Sequence, residues 1–274
     1  MSGRAVFAIP GDPDRISGGF LYERRLLQGL RDQGRSVDLL RMPAAFPDPS
    51  PADVTAAIGM LRAVPPDLPV LLDGFLPGTM PADALRRLAA PTVAVVHHPL
   101  GLEAGLPPER AEWLLANERE SLHAVRRVVV PSPFIARLLR ERFGLEADAI
   151  TVAPPGFDSL PDMAGTDLAG KVPQGPPIIL SVGLLARRKG HDVLIDALAR
   201  VADLEWRAVI VGGVHDARVQ DDLLDRIARH GLNGRMALTG ILNDEALARE
   251  WAGASVFALA TRYEGYGIVF GEAM

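Results

Sequence analysis

Short apolar runs alternate with longer amphipathic stretches through the first half of the chain. The runs cover 4–9, 36–41, 69–73, 92–96, 127–130 and 150–153 and are rich in Val, Ile, Leu and Ala. Segments this short with few polar positions predict strands buried on both faces. Between them, helical spacing is strongest over 20–33, 81–89, 109–125 and 133–143. Within 109–125, Trp113, Leu114, Leu115, Leu122 and Val125 gather on one side, which predicts a helix packing that side on a sheet. Buried strands alternating with helices argue for a parallel sheet with crossovers on both faces.

Residues 154–177 break the pattern: proline and glycine accumulate there without periodicity, as in a linker. The alternation then restarts. Strands are expected at 178–182, 207–211, 235–239 and 255–259, and helices at 190–201, 216–230 and 244–252. A last helix begins near Gly267 and reaches Met274 without a glycine cap or other stop signal. The second unit is therefore expected to be incomplete, the natural protein continuing past Met274. The fold class predicted is α/β, with a first unit over 1–160, a linker over 161–177 and a second unit over 178–274.

Composition fits that division. At roughly 150 residues per domain, 274 residues suggest two domains, and 48% apolar with 23% charged residues marks a globular chain. The net charge of −5 is spread evenly. Residues 1–160 hold 17 basic and 19 acidic side chains, and 161–274 hold 12 and 15, so neither half has the cationic excess a nucleic-acid binder needs. The absence of cysteine removes disulfides, thiolate metal sites and cysteine nucleophiles. Ala5–Pro10 is too short an apolar run for a signal peptide, and no stretch approaches the ~18 apolar residues of a membrane span. A soluble, cytoplasmic protein is expected.

Two segments carry the candidate chemistry. Glu264-Gly265-Tyr266-Gly267-Ile268-Val269-Phe270-Gly271-Glu272 follows a predicted strand and opens a predicted helix. Its glycines let a backbone approach a ligand, and Glu272 can accept hydrogen bonds from vicinal hydroxyls such as a ribose. A surface loop with incidental glutamates is the alternative. Gly183-Leu184-Leu185-Ala186-Arg187-Arg188-Lys189-Gly190 follows the first strand of the second unit. It places three cations at the carboxyl edge of the sheet, where open α/β sheets bind ligands. The chain has 27 arginines but only two lysines, Lys171 and Lys189, and a compact ammonium suits a phosphate oxygen. Here a solvated basic turn is the alternative.

Strand–GxxxxxKG–helix, then Val211-Gly212-Gly213, Gly240 and Glu264-x7-Glu272, resembles the carboxyl-terminal domain of a family 4 glycosyltransferase over about 178–274. The resemblance implies a GT-B fold, two Rossmann-like domains facing across a cleft. It also implies a nucleotide-diphosphate sugar as donor, retention at the anomeric carbon, and no cofactor or metal. By the same resemblance Lys189 and a nearby arginine hold the diphosphate and Glu272 contacts the ribose. Glu264 lies near the donor sugar, and Gly183, Gly265, Tyr266, Gly267 and Ile268 approach sugar and phosphate. Many relatives carry arginine where this chain has Leu184, which leaves Arg187 or Arg188 to supply the guanidinium.

The N-terminal half resembles the acceptor domain more weakly. Gly18-Gly19 matches the glycine pair of the family's first strand–helix loop, which can lie against the phosphates. His97-His98 ends a strand where relatives often carry a histidine near the reacting sugar, and His97 is the favoured one. Asp12-Pro13-Asp14 has the form of a DxD metal motif but reads as a turn after the first strand. Six arginines against two glutamates over 119–142 form a basic amphipathic face that could rest on anionic lipid; a solvated face is the plainer reading. The expected function is sugar transfer from a nucleotide-diphosphate sugar to the hydroxyl of a saccharide, lipid-linked or small-molecule acceptor. A nucleotide-sugar epimerase, a phosphorylase and a non-catalytic nucleotide-binding module remain alternatives.

Overall fold

Among the described residues, ten strands form two parallel sheets. The computed structural model describes residues 3–14, 18–156, 175–214 and 216–274. Two compact units divide between Pro155 and Gly156. The expected linker lies mostly on 157–174, outside the described residues.

In the first unit, β1 (Arg4–Pro10), β2 (Ser36–Met42), β3 (Val70–Asp73), β4 (Thr92–Val95), β5 (Arg127–Val130) and β6 (Ile150–Val152) pair in the order β2-β1-β3-β4-β5-β6. Every pairing is parallel. Phe7, Ala8, Leu72, Ala94 and Val130 are fully buried, as the apolar runs require. The strand order reverses between β1 and β3, and that reversal opens a crevice at the carboxyl ends of the strands.

The helices of this unit are α1 (Gly18–Asp32), α2 (Pro51–Arg62), α3 (Phe75–Thr79), α4 (Ala82–Arg86), α5 (Pro108–Leu122) and α6 (Pro133–Phe143). α2 and α3 lie outside the stretches of strongest helical spacing. α2 buries only Ala57 and Leu61, and its start is built by a capping box between Ser50 and Asp53 with Pro51 in the first turn. α4 is shorter than the expected 81–89. In α5 the packed side is Leu114, Glu118, Ser121 and Leu122. Trp113, expected on that side, is instead 46% exposed, with the Arg110 guanidinium 4.7 Å above its ring.

The second unit pairs β7 (Ile178–Val182), β8 (Arg207–Val211), β9 (Met236–Gly240) and β10 (Val256–Phe257) in the order β10-β7-β8-β9, again all parallel. Its helices are α7 (His191–Ala199), α8 (Ala217–Arg229), α9 (Asp244–Gly253) and α10 (Ile268–Glu272). Ile195, Leu198, Ala208, Ile210, Leu223 and Ile227 close a core between sheet and helices. Here the order reverses between β7 and β10, so the loops after those two strands meet at the crevice. No helix among the described residues is long and apolar enough to cross a membrane.

Candidate active site

The turn after β7 and the loop after β10 converge on one ion-pair cluster. Lys189 closes a 3-10 turn, Arg187–Lys189, just before α7. Its Nζ donates to Glu264 Oε1 at 2.5 Å. Arg188 Nη1 stands 3.6 Å from Glu264 Oε2, and Thr261 Oγ1 donates to Oε1 at 3.1 Å. Lys189 and Glu264 are both largely buried, which strengthens their attraction over that of a surface pair.

The backbone is locked in the same place. Thr261 Oγ1 and the Arg262 amide approach the Arg188 carbonyl at 3.0 and 2.8 Å. Arg262 forks onto Asp192 with bonds of 2.8 and 2.7 Å and also donates to the Arg187 carbonyl at 2.7 Å. That guanidinium holds the Asp192 carboxyl below its usual range. Gly190 has φ +67°. A Cβ there would fall onto the Ala260 carbonyl, so only glycine lets the two loops touch. His191, at the start of α7, is buried with Nδ1 3.4 Å from Ser181 Oγ and Nε2 3.2 Å from the Gly183 carbonyl. Burial pushes its pKa down, and the neutral ring ties the β7 end to the helix.

Of the expected residues, Gly183, Arg188, Lys189 and Glu264 are gathered here, the Lys189 stem lying against Gly183. The Arg187 side chain is exposed, so Arg188 is the guanidinium beside Glu264. Gly265 and Tyr266 continue the loop. Gly267 caps α10 with φ +83°, Ile268 begins it and Glu272 ends it. Thr261, Arg262, Asp192 and His191 carry no motif in the sequence, since each fits an ordinary loop or helix end.

The first unit gathers a second polar cluster at its own crevice. Glu23 on α1 and Asp73 at the end of β3 are 1% and 4% exposed. His97, just after β4, places Nε2 3.3 Å from Glu23 Oε1. The Tyr22 ring meets His97 edge-on at 5.2 Å, and the Tyr22 hydroxyl donates to the Ala153 carbonyl at 2.8 Å. Gly19 lies against the same imidazole, where a Cβ would sit 3.1 Å from His97 Cδ2. Gly18 starts α1 with open space around it. Burial raises the Glu23 pKa to about 8 and the Asp73 pKa well above its usual value, and it lowers that of His97. His98 is paired separately, its Nε2 3.1 Å from Glu103 Oε2.

The loop carrying both histidines is anchored from below. Buried Glu118 accepts the Leu100 and Gly101 amides at 2.7 and 3.2 Å, and burial lifts its pKa to about 7. Asp12-Pro13-Asp14 is a turn, with the Asp14 amide donated to Asp12 Oδ1 at 3.0 Å.

Comparison with known proteins agrees with this architecture. The model "Glycosyltransferase Family 4" matches residues 18–159, and "Glycosyl transferases group 1" matches 169–274. A D-inositol 3-phosphate glycosyltransferase of Xylanimonas cellulosilytica is 26% identical, over 96% of this chain and 74% of its own length. A mannosylfructose-phosphate synthase of Agrobacterium fabrum is 30% identical over 54% of this chain, a match spanning 35% of that enzyme. Among solved structures, sucrose-phosphate synthase of Thermosynechococcus elongatus superposes with a TM-score of 0.78 at 20% identity, covering 99% of this chain and 78% of that one. Anabaena HepE in complex with UDP and glucose gives 0.66 at 18% identity, covering 99% and 78%. The fold is that of GT-B glycosyltransferases. With the family model matching more than half of its length, the chain belongs to glycosyltransferase family 4.

Proposed function

We propose that the protein transfers a sugar from a nucleotide-diphosphate donor to an acceptor hydroxyl, with retention at the anomeric carbon. The observation that carries this reading is the joining of Arg188, Lys189 and Glu264 at the β7/β10 crevice. Two cations held near the carboxyl edge of the sheet match a leaving group on which negative charge builds as the glycosidic bond breaks. Lys189 and Arg188 neutralise the departing diphosphate, and Glu264 keeps both cations in place until the donor arrives. Glu272 receives the ribose hydroxyls, and the Gly265–Ile268 backbone lies along sugar and phosphate. The UDP held by the Anabaena neighbour supports a nucleotide donor.

On the acceptor side, Gly18 and Gly19 leave room beside the first helix, and His97 serves the reacting sugar. The diphosphate itself can accept the acceptor's proton, so no pair of carboxylates need flank the bond, unlike a typical glycosidase. Neither a metal nor a cofactor is assigned a step.

The test is product analysis. UDP-, GDP- and ADP-linked sugars are incubated with the protein and a panel of saccharide, lipid-linked and small polyol acceptors. Release of nucleoside diphosphate with a glycoside of unchanged anomeric configuration is expected. An inverted glycoside would overturn retention, while an epimerised nucleotide sugar or a sugar phosphate would replace transfer with epimerase or phosphorylase chemistry.

A further inference from the structure

The buried carboxyls behind His97 are not explained by core packing. Glu23 lies on the packed side of α1 with Phe20 and Leu27, a position that usually takes an apolar residue. Its Oε1 meets His97 Nε2, while its Oε2 is buried with no donor among the described residues. The other buried carboxyl acting on Glu23 is Asp73, whose Oδ1 accepts the Phe75 amide at 2.6 Å. Two neighbouring buried carboxyls disfavour each other's ionisation, and burial raises the pKa of both. The titratable groups brought to this point are Tyr22 and Glu23 from α1, Asp73 from β3 and His97 from the β4 loop.

We infer that Glu23 and Asp73 are positioning residues for sugar transfer: a buried carboxyl pair that commits His97 Nε2 inward and thereby leaves Nδ1 as the ring nitrogen able to meet a substrate. The geometry has three parts. Gly19 and Tyr22 pack on the imidazole and limit its tilt. The Glu23 contact then fixes which nitrogen faces the protein, as an orienting carboxyl group can for a catalytic histidine. Asp73, itself held by the Phe75 amide, is the neighbouring buried carboxyl. The cluster sits beside the β1/β3 strand reversal, where open sheets bind ligands. Burial raises the pKa of both carboxyls, that of Glu23 to about 8.

Only the kinetic arm of the test rests on the proposed transfer reaction. In the first arm, histidine-15N-labelled protein is followed by NMR from pH 6 to 9, with the His97 resonances assigned by His97→Asn. Wild type is expected to keep one hydrogen-bonded tautomer below pH 8, and Glu23→Leu to lose it. Identical His97 shifts in both proteins across the range would overturn the inference. In the second arm, Glu23→Leu and Asp73→Leu are expected to lower kcat about 10-fold or more with the donor KM little changed. Asp73→Asn, which can still donate to Glu23, should restore most of the loss. The wild-type kcat should bend near pH 8, and that bend should be absent in Glu23→Gln. An unaltered pH profile in Glu23→Gln, or no rescue by Asn, would reduce the pair to a structural role. If no variant and no wild type transfers sugar, the transfer reading fails while the NMR arm still decides the pairing.

Discussion

Lys189 and Glu264 are 75 residues apart in the chain, yet the ammonium and carboxylate share a 2.5 Å hydrogen bond. The strand order of the second sheet produces that meeting, because β10 returns to the β7 side opposite β8. On the proposed function the pair has competing uses for the same cation: with the site empty Lys189 neutralises Glu264, and with donor bound it would face phosphate. Lys189→Ala should lower turnover roughly 100-fold or more, with Arg188 and Thr261 still beside Glu264 and the fold intact. Steady-state rates with circular dichroism as the fold control check this; normal turnover in the variant would remove Lys189 from the mechanism.

Neutralising the carboxylate should separate binding from chemistry. Glu264→Gln keeps the side-chain shape but no longer competes for the two cations or repels an incoming diphosphate. Calorimetry should show nucleoside diphosphate binding to this variant at least as tightly as to wild type, while turnover falls. Weaker binding together with unchanged turnover would contradict the geometry.

Gly190 is the point where the two loops of the site touch. Any side chain would meet the Ala260 carbonyl and would also have to adopt the left-handed conformation. Gly190→Ala should therefore destabilise the second unit by about 3 kcal/mol or more. Urea unfolding followed by a probe in that unit would measure it. A loss below ~1 kcal/mol would show that the loops can part easily.

Two buried glutamates give stability a pH dependence of definite sign. Burial raises Glu23 to about 8 and Glu118 to about 7, both above the ordinary carboxylate value of 4.5. The native state therefore holds protons that the unfolded chain releases. Their stabilising contribution is fully present below about pH 4.5 and is lost as pH rises through 7 and 8. Melting temperatures should show Glu23→Gln gaining on wild type between pH 6 and 9. A constant difference across that range would mean that Glu23 does not titrate on unfolding.

Glu118 also holds the histidine loop. Glu118→Gln leaves one acceptor oxygen for the Leu100 and Gly101 amides and turns an N–H toward the other. A cost of about 1–3 kcal/mol is expected. Hydrogen exchange should then be faster at those two amides than at the strand amides of β4.

The strands were legible because a parallel sheet buried on both faces leaves continuous apolar runs; all ten fall on the expected segments. α2 was less legible, since its start depends on Ser50 and Asp53 capping more than on an apolar stripe. Trp113 misled for a related reason: helical spacing does not distinguish a buried indole from one covered by Arg110. The Lys189 and Glu264 segments announced themselves through glycine next to charge. Glu23 and Asp73 gave a quieter signal. Each stands at an apolar position of its element, one on the packed side of α1 and the other ending a buried strand just before Gly74. Their partnership arises only when β3 pairs beside β1, a long-range fact that no local pattern contains.

The most direct test of the account is calorimetric titration of UDP, GDP and ADP into the protein and into Lys189→Ala and Glu272→Ala. One diphosphate should bind in preference to the other two, with affinity reduced about 10-fold or more in each variant. Failure of the folded protein to bind any of the three, or equal binding by wild type and both variants, would contradict a donor site at the β7/β10 crevice.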